Sequence, residues 1–192
     1  MIHISIEGMD GVGKSTTCKL LAEKLGYKFV EKPLHLLFDK NEESFEEYIR
    51  IRDQVNANPN RIFTSWFYGL GSIYMYERYK NANIVTDRHF ASNYAWSGTK
   101  DNTEVYDLLI KKIGTPKLTV ILYCPSEVIK QRLKERKTDD SDIAKVKKSE
   151  TIYAKMIDFC KAKKMPYVVI DTSSLTPEEV VETILKEPLL NA

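Results

Sequence analysis

The sequence has 192 residues, of which 43% are hydrophobic and 29% are charged, and its formal net charge is +2. This composition is typical of a single globular domain over residues 1–192, and so small a net charge gives no indication of nucleic-acid or membrane binding. Cys18, Cys124 and Cys160 lie far apart with no C-x-x-C pair, which argues against a zinc site or a disulfide framework and favours a reducing compartment. We therefore expect a cytoplasmic protein without a signal peptide or a membrane span.

The predicted elements alternate between strands and helices along the chain. Apolar patterns predict five strands, over residues 1–6, 27–31, 84–86, Leu118–Tyr123 and Tyr167–Asp171. Helical spacing and capping residues predict helices over residues 15–25, 42–55, 58–80, Thr103–Ile113, 127–137, a lysine-rich stretch to about Lys164, and 177–186. Gly69 and Gly71 inside the long third helix predict a kink or a close approach. Strands that each lead into helical sequence predict an α/β domain, with a parallel sheet covered by helices on both faces.

A glycine-rich loop follows the first predicted strand. Residues 8–15 read GMDGVGKS and match the phosphate-binding pattern G-x-x-x-x-G-K-[ST]. The glycines allow successive backbone N–H groups to point at anionic oxygens, Lys14 supplies a charge for the outer phosphates, and the Ser15 hydroxyl suits Mg²⁺. The helix that follows adds the partial positive charge of its N-terminus. The predicted ATP contacts in this loop are Gly8, Met9, Asp10, Gly11, Val12, Gly13, Lys14, Ser15 and Thr16.

Other classes of phosphate-loop protein lack support in this sequence. A GTPase needs an Asn-Lys-x-Asp tetrapeptide, and residues 99–102 read TKDN, with asparagine in place of the aspartate. A motor or transporter ATPase needs a longer chain with further signature segments. The small size, with helical insertions after the second and third strands, favours an enzyme that moves a phosphoryl group between two small molecules.

Two segments resemble the signatures of the thymidylate kinase family. Residues 7–16 (EGMDGVGKST) carry an aspartate two positions after the first glycine, and residues 87–96 (DRHFASNYAW) carry an Asp-Arg pair followed by a serine and an aromatic. Tyr74, four residues before Arg78, is similar to the family's aromatic that stacks on the acceptor base. Arg132 and Arg136, ahead of an aspartate-rich loop, resemble its mobile lid, which we place at about residues 133–148. The resemblance implies a three-layer P-loop kinase fold.

The resemblance also implies a reaction, in which ATP with Mg²⁺ phosphorylates a deoxynucleoside monophosphate, dTMP first among them. Lys14 and a Mg²⁺ ion near Ser15 and Asp10 would hold the donor phosphates, while Asp10 also serves the acceptor sugar. Arg88 grips the acceptor phosphate with its planar fork of donors. The predicted acceptor contacts are Asp10, Tyr74, Arg78, Arg88, Asn93 and Trp96.

A catalytic arginine is expected from the lid. The family needs such an arginine either in the phosphate loop or in the lid, and this loop carries Met9 and Val12 instead. Arg136 is the first candidate, and Arg132 is either a second one or a support beneath the donor adenine. With Asp10, Lys14 and Arg88, these two arginines complete the predicted catalytic set. The resemblance further implies a homodimer formed through the aromatic helix at residues 60–80.

The acceptor side departs from the family pattern. The usual Arg-Glu-Pro-Gly segment is replaced by EKPL at residues 31–34, and Trp96 stands where a tyrosine is usual. The reaction type is therefore better defined than the base. A deoxynucleoside kinase is the alternative enzyme, although it would carry Glu-Arg-Ser at its second signature and lack Asp10. A nucleotide-dependent switch is the alternative of another class, although a switch needs neither Arg88 nor lid arginines.

Overall fold

The computed structural model describes residues 1–136 and 141–191 of the chain. Its five strands are β1 (His3–Gly8), β2 (Lys28–Glu31), β3 (Ile84–Asp87), β4 (Leu118–Tyr123) and β5 (Tyr167–Asp171). They form one sheet in the order β2-β3-β1-β4-β5, and every neighbouring pair is parallel. The predicted five-stranded parallel sheet is confirmed.

The helices pack in two groups, one on each face of the sheet. They are α1 (Lys14–Leu25), α2 (His35–Phe38), α3 (Glu46–Ala57), α4 (Arg61–Arg78), α5 (Phe90–Ser97), α6 (Thr103–Ile113), α7 (Ser126–Arg136), α8 (Ser149–Ala162), α9 (Pro177–Leu185) and α10 (Pro188–Asn191). Short 3₁₀ segments lie at Lys100–Asn102 and Ser141–Lys148. Helix α1 contacts α9 and the first three strands, whereas α5 contacts α4, α8 and β1. This arrangement is the three-layer α/β fold that the sequence predicts.

The core lies around the two central strands. Ile4, Ile6, Val120 and Leu122 of β1 and β4 are fully buried, because helices cover both faces of the sheet. The long aromatic helix α4 runs through Gly69 and Gly71 without a break.

The close-approach alternative for these two glycines is confirmed. A Cβ atom at Gly69 would lie 2.7 Å from Leu109 Cδ1, and one at Gly71 would lie 3.3 Å from Leu34 Cγ. The glycines therefore let α6 and the segment after β2 pack directly on α4. Among the described residues, no helix combines the length and the apolar character needed to cross a membrane.

The register of the sheet aligns the strand ends that carry the predicted site. Glu31 and Ile6 both lie opposite Asp87 on β3, and Tyr123 lies opposite Asp171. The phosphate loop leaves β1 at the same edge. Ligands of open parallel sheets bind outside the carboxyl ends of the strands, so this edge is where the site is expected.

Two local predictions differ from the structure. The predicted helix at residues 42–55 begins four residues later, at Glu46. The side chain of Asn41 binds backbone N–H groups in the turn before it, and that of Asp39 binds backbone N–H groups in the first turn of the helix. The predicted helix at residues 127–137 begins one residue earlier, at Ser126. Part of the predicted lid at residues 133–148, namely residues 137–140, lies outside the described residues.

Candidate active site

The phosphate loop has a backbone that only glycine adopts readily. Gly8 has φ 138° at the end of β1, and its missing Cβ would lie 2.5 Å from the backbone oxygen of Leu122. Gly13 has φ 94° and forms the N-cap of α1. Both conformations lie at positive φ, where other residues are strained. The loop consequently turns directly into the N-terminus of α1, where unpaired amides favour an anion.

Lys14 lies inside this loop. Its ammonium group donates to the backbone oxygen of Met9 at 2.7 Å and lies 3.7 Å from the Asp10 carboxylate, and the side chain is only 6% exposed. Burial lowers the pKa of Lys14 and the charge of Arg88 adds to this effect, whereas Asp10 and Asp87 oppose it. The ammonium is therefore held within the loop, next to the space that phosphates would occupy.

Arg88 joins the end of β3 to the phosphate loop. Its guanidinium Nη2 donates to Asp10 Oδ1 at 2.6 Å, and its backbone N–H donates to Ile6 O at 2.9 Å. Burial alone would raise the pKa of Asp10, but the positive charges of Arg88 and Lys14 outweigh it and hold that pKa well below its usual range. Arg88 itself has φ 74°, a conformation that few residues with a side chain adopt. Strain of this kind is common at functional sites.

Ser15 and Asp87 form the second pair across the site. The Ser15 hydroxyl donates to Asp87 Oδ2 at 2.5 Å. A hydroxyl beside a carboxylate, next to a phosphate-binding loop, is a donor set that fits Mg²⁺, which binds few protein oxygens and keeps phosphate and water ligands. Among the described residues, no three His, Cys, Asp or Glu side chains form a group able to hold a metal ion on their own. Ser15 and Asp10 are the residues predicted for the metal, whereas Asp87 is the carboxylate that lies next to Ser15.

A cavity opens beside Arg88, between the sheet edge and α4. Its lining residues come from β2 and the segment after it, from the end of β3 and the turn after it, and from α3, α4 and α5: Val30, Lys32, Pro33, Leu34, Tyr48, Tyr68, Gly71, Ser72, Met75, Thr86, Asp87, Arg88, His89 and Asn93. The predicted acceptor residues Arg88 and Asn93 are among them. Tyr48 and Tyr68 supply two aromatic rings, and the Tyr68 hydroxyl donates to Asn56 Oδ1 at 2.9 Å.

Four predicted acceptor residues, Asp10, Tyr74, Arg78 and Trp96, are not among those that line this cavity. Asp10 pairs with Arg88 from the phosphate loop, and Tyr74 is partly buried on α4. Arg78 forms an ion pair with Glu42, and Trp96 packs against the main core. Their proposed contacts with the acceptor remain predictions from the sequence.

The two arginines predicted to serve the lid occupy different positions. Arg132 Nη2 donates to the backbone oxygens of Thr172 at 2.7 Å and of Ser173 at 3.3 Å, so it lies against the loop after β5. Arg136 Nη2 donates to Asp142 Oδ2 at 3.2 Å, and the same carboxylate group pairs with Lys145 at 2.6 Å. Arg132 is thus held beneath the strand ends, while Arg136 is tied to the 3₁₀ segment that follows α7.

The comparison with family models covers nearly the whole chain. The model described as thymidylate kinase matches residues 6–184. The chain belongs to the thymidylate kinase family. It is therefore a phosphotransferase with nucleotide kinase activity.

Curated relatives of this thymidylate kinase family member carry two kinds of name. A protein from Thermococcus kodakarensis named "Putative adenylate kinase" is 30% identical over 187 residues, which are 95% of this chain and 82% of the relative. A protein from Saccharolobus solfataricus named "Probable thymidylate kinase 1" is 27% identical over 95% of this chain and 94% of the relative. Both names are those of nucleotide kinases, and they differ in the base of the nucleotide.

Solved structures of kinases share the fold. A thymidylate kinase from Candida albicans matches with a TM-score of 0.67 at 16% identity, over 96% of this chain and 89% of that one. A deoxyadenosine kinase from M. mycoides matches with a TM-score of 0.62 at 19% identity, over 96% of this chain and 97% of that one. At sequence identities this low, the two matches show only that this family member has the same fold as those kinases.

Three residues around this site of the thymidylate kinase family member were not among the predicted site residues. Tyr48 and Tyr68 line the cavity, and Asp87 binds Ser15. Asp87 had a usable signal, since it ends a strand beside the one that precedes the loop. Tyr48 and Tyr68 had none, because the faces of α3 and α4 that meet the cavity depend on how these helices and the segment after β2 pack together.

Proposed function

We propose that the protein transfers the γ-phosphoryl group of ATP, with Mg²⁺, to a deoxynucleoside monophosphate, and that dTMP is its acceptor. The observation that carries this proposal is the position of Arg88. Its guanidinium lies at the wall of a cavity and is held, at 2.6 Å, by the carboxylate of the phosphate-loop residue Asp10. An arginine between the donor loop and an acceptor cavity suits an acceptor that already carries a phosphate.

The donor side uses the phosphate loop. Its backbone amides and Lys14 would bind the ATP phosphates, with the α1 N-terminus adding its partial positive charge. Ser15 and Asp87, with Asp10 close by, would hold Mg²⁺, which supplies charge neutralisation on the phosphates when bound. Arg132, which binds the loop after β5, would support the adenine from below.

The acceptor side uses the cavity. Arg88 binds the acceptor phosphate, and Asp10 accepts a hydrogen bond from the sugar hydroxyl on the same side. The rings of Tyr48 and Tyr68 are placed to contact the base, with Asn93 contributing an amide. Phosphoryl transfer requires mainly positioning and neutralisation of charge, so Arg136 would complete the site by stabilising the moving phosphoryl group.

A coupled ADP-release assay tests the proposal. The acceptor panel is dTMP, dUMP, dAMP, AMP, the remaining monophosphates and free thymidine, with Mg²⁺ present and then removed by a chelator. We expect turnover of dTMP above all other acceptors and no turnover without Mg²⁺. Turnover of thymidine without dTMP would refute the monophosphate acceptor. A preference for AMP would place the protein with the relatives named for adenylate kinase.

We also propose that the protein forms a homodimer through α4. One side of this helix carries large apolar residues that are 41–48% exposed, namely Ile62, Phe63, Trp66, Leu70 and Ile73. Their spacing of three and four residues places them along one stripe, and Leu108 is exposed on the adjacent α6. An apolar stripe of this extent is typical of a protein interface, and a two-fold contact would cover both copies with the same residues.

A further inference from the structure

Glu7 is a buried carboxylate that the proposed chemistry does not use. It lies on β1, directly before the phosphate loop, and is fully buried. Its two oxygens have different partners, since Oε1 accepts from the His89 backbone N–H at 3.0 Å and Oε2 accepts from the Ser92 backbone N–H at 3.1 Å. Burial raises the pKa of Glu7, and these hydrogen bonds and the charge of Arg88 counteract the rise. Burial of a charged carboxylate costs free energy, so a carboxylate at this position indicates a specific role.

Both partners of Glu7 belong to the turn that carries Arg88. His89 follows Arg88 directly, and Ser92 lies in the first turn of α5. His89 is the N-cap of this helix and supplies no side-chain hydrogen bond to it. Glu7 therefore caps α5 from the neighbouring strand, and satisfies amides that a helix N-terminus leaves unpaired.

Arg88 is fixed on both sides in its strained conformation. Its own N–H is held by Ile6 O at 2.9 Å, and the next N–H along the chain is held by Glu7. Between these two bonds the backbone of Arg88 stays at φ 74°. Without the second bond the residue can return to negative φ, which turns its Cα–Cβ bond and moves the guanidinium away from Asp10.

We propose that Glu7 is a positioning residue that keeps Arg88 aimed at Asp10 and the acceptor phosphate. The proposal rests on the proposed function, in which Arg88 binds that phosphate. A carboxylate is needed because both partners are donors. A glutamine offers one oxygen and turns an NH₂ group toward the other amide, and an aspartate is one methylene too short to reach both.

The kinetic test compares Glu7→Gln with wild type and with Glu179→Gln. Glu179 also accepts from a backbone N–H at a helix N-terminus, that of Thr176 at 2.8 Å, but it lies on α9 away from Arg88, so Glu179→Gln is the matched control. We expect Glu7→Gln to raise the acceptor KM about 10-fold while the ATP KM stays within about twofold of wild type. An ATP KM that rises as much as the acceptor KM would overturn the proposal.

A double-mutant cycle separates positioning from general structural damage. In an Arg88→Ala background, Glu7→Gln should change the acceptor KM by less than about twofold, because the residue it positions is gone. Full additivity of the two effects would contradict the proposal. If Glu7→Gln does not fold, Glu7→Asp takes its place in the same cycle.

Amide NMR gives a readout that does not depend on catalysis. The His89 and Ser92 amide protons should resonate downfield in wild type and exchange slowly with solvent. They should lose both properties in Glu7→Gln but not in Glu179→Gln. Unchanged amides would overturn the proposal. A wild-type protein that shows these amides but phosphorylates no monophosphate would instead refute the proposed function.

Discussion

The guanidinium of Arg88 and the carboxylate of Asp10 connect the end of β3 to the phosphate loop through a 2.6 Å hydrogen bond. Asp10 also lies 3.7 Å from the Lys14 ammonium, so one carboxylate lies between two cations. In the proposed function, Lys14 binds a donor phosphate and Arg88 binds the acceptor phosphate. The Arg88–Asp10 pair would thereby fix the distance between these two phosphates.

Replacement of Arg88 should affect the acceptor alone. We expect Arg88→Ala to raise the acceptor KM roughly 10- to 100-fold, the usual cost of one charged hydrogen-bonding partner, while the ATP KM stays near that of wild type. Steady-state kinetics with each substrate varied in turn measures both. Arg50→Ala is the control, because Arg50 is an exposed helix residue paired with Glu47. A collapse of ATP affinity in Arg88→Ala would contradict the assignment.

The two lid arginines should separate kinetically. Arg136→Ala should lower kcat about 10²- to 10³-fold with little change in either KM, because the lost charge acts on the transferring group. Arg132→Ala should mainly raise the ATP KM, since Arg132 binds Thr172 and Ser173 in the loop after β5. The reverse pattern, with kcat lost in Arg132→Ala, would assign the catalytic charge to Arg132.

Removal of the Ser15 hydroxyl or the Asp87 carboxylate should weaken the response to Mg²⁺. We expect Ser15→Ala and Asp87→Asn each to raise the Mg²⁺ concentration for half-maximal activity by about 10-fold, through loss of an oxygen ligand or of its partner. Activity is measured over a Mg²⁺ titration at fixed ATP. Thr183→Ala, which removes a hydroxyl on α9, is the control. An unchanged Mg²⁺ midpoint in both variants would remove this pair from the metal site.

Sequence patterns determine most of this fold because its elements follow local rules. The bounds of β4, β5 and α6 were predicted to the residue, since a buried apolar run or a helix ended by Gly114 depends on its own segment. The residues that line the acceptor cavity could not be predicted from such local patterns. Whether Tyr68 or Tyr74 of α4 faces the cavity depends on the rotation of the helix, which is set by packing at Gly69 and Gly71.

The structure also contains a buried histidine pair whose role the sequence does not reveal. His3 bonds Tyr76 and Thr86 through its two ring nitrogens, whereas both ring nitrogens of His89 are buried without a hydrogen-bond partner. Burial lowers the pKa of His89 to about 3. The unfolded chain therefore binds a proton at His89 below about pH 6.5 while the folded chain does not.

Acid should consequently destabilise the protein through His89. The stability that its neutral ring contributes is complete above pH 6.5 and is lost as the pH falls toward 3, with about 2 kcal/mol lost at pH 5. His89→Leu should remove this loss while keeping stability at pH 7 within about 1 kcal/mol, because no hydrogen bond of the ring is lost. Urea unfolding at pH 7 and pH 5 measures the loss of unfolding free energy in each protein. Glu7 is present in both proteins, so its contribution cancels when the two losses are compared. Equal losses in both proteins would contradict the prediction.

A charge placed in the α4 stripe should separate the proposed dimer. We expect Trp66→Glu and Leu70→Glu to convert a dimer into a monomer in sedimentation velocity at micromolar protein, because a carboxylate buried in an apolar interface lacks a partner. Leu37→Glu is the matched control, since Leu37 is also exposed but lies on α2, away from the stripe. A wild-type protein that sediments as a monomer would refute the dimer. A Leu37→Glu monomer would move the interface from α4 to α2.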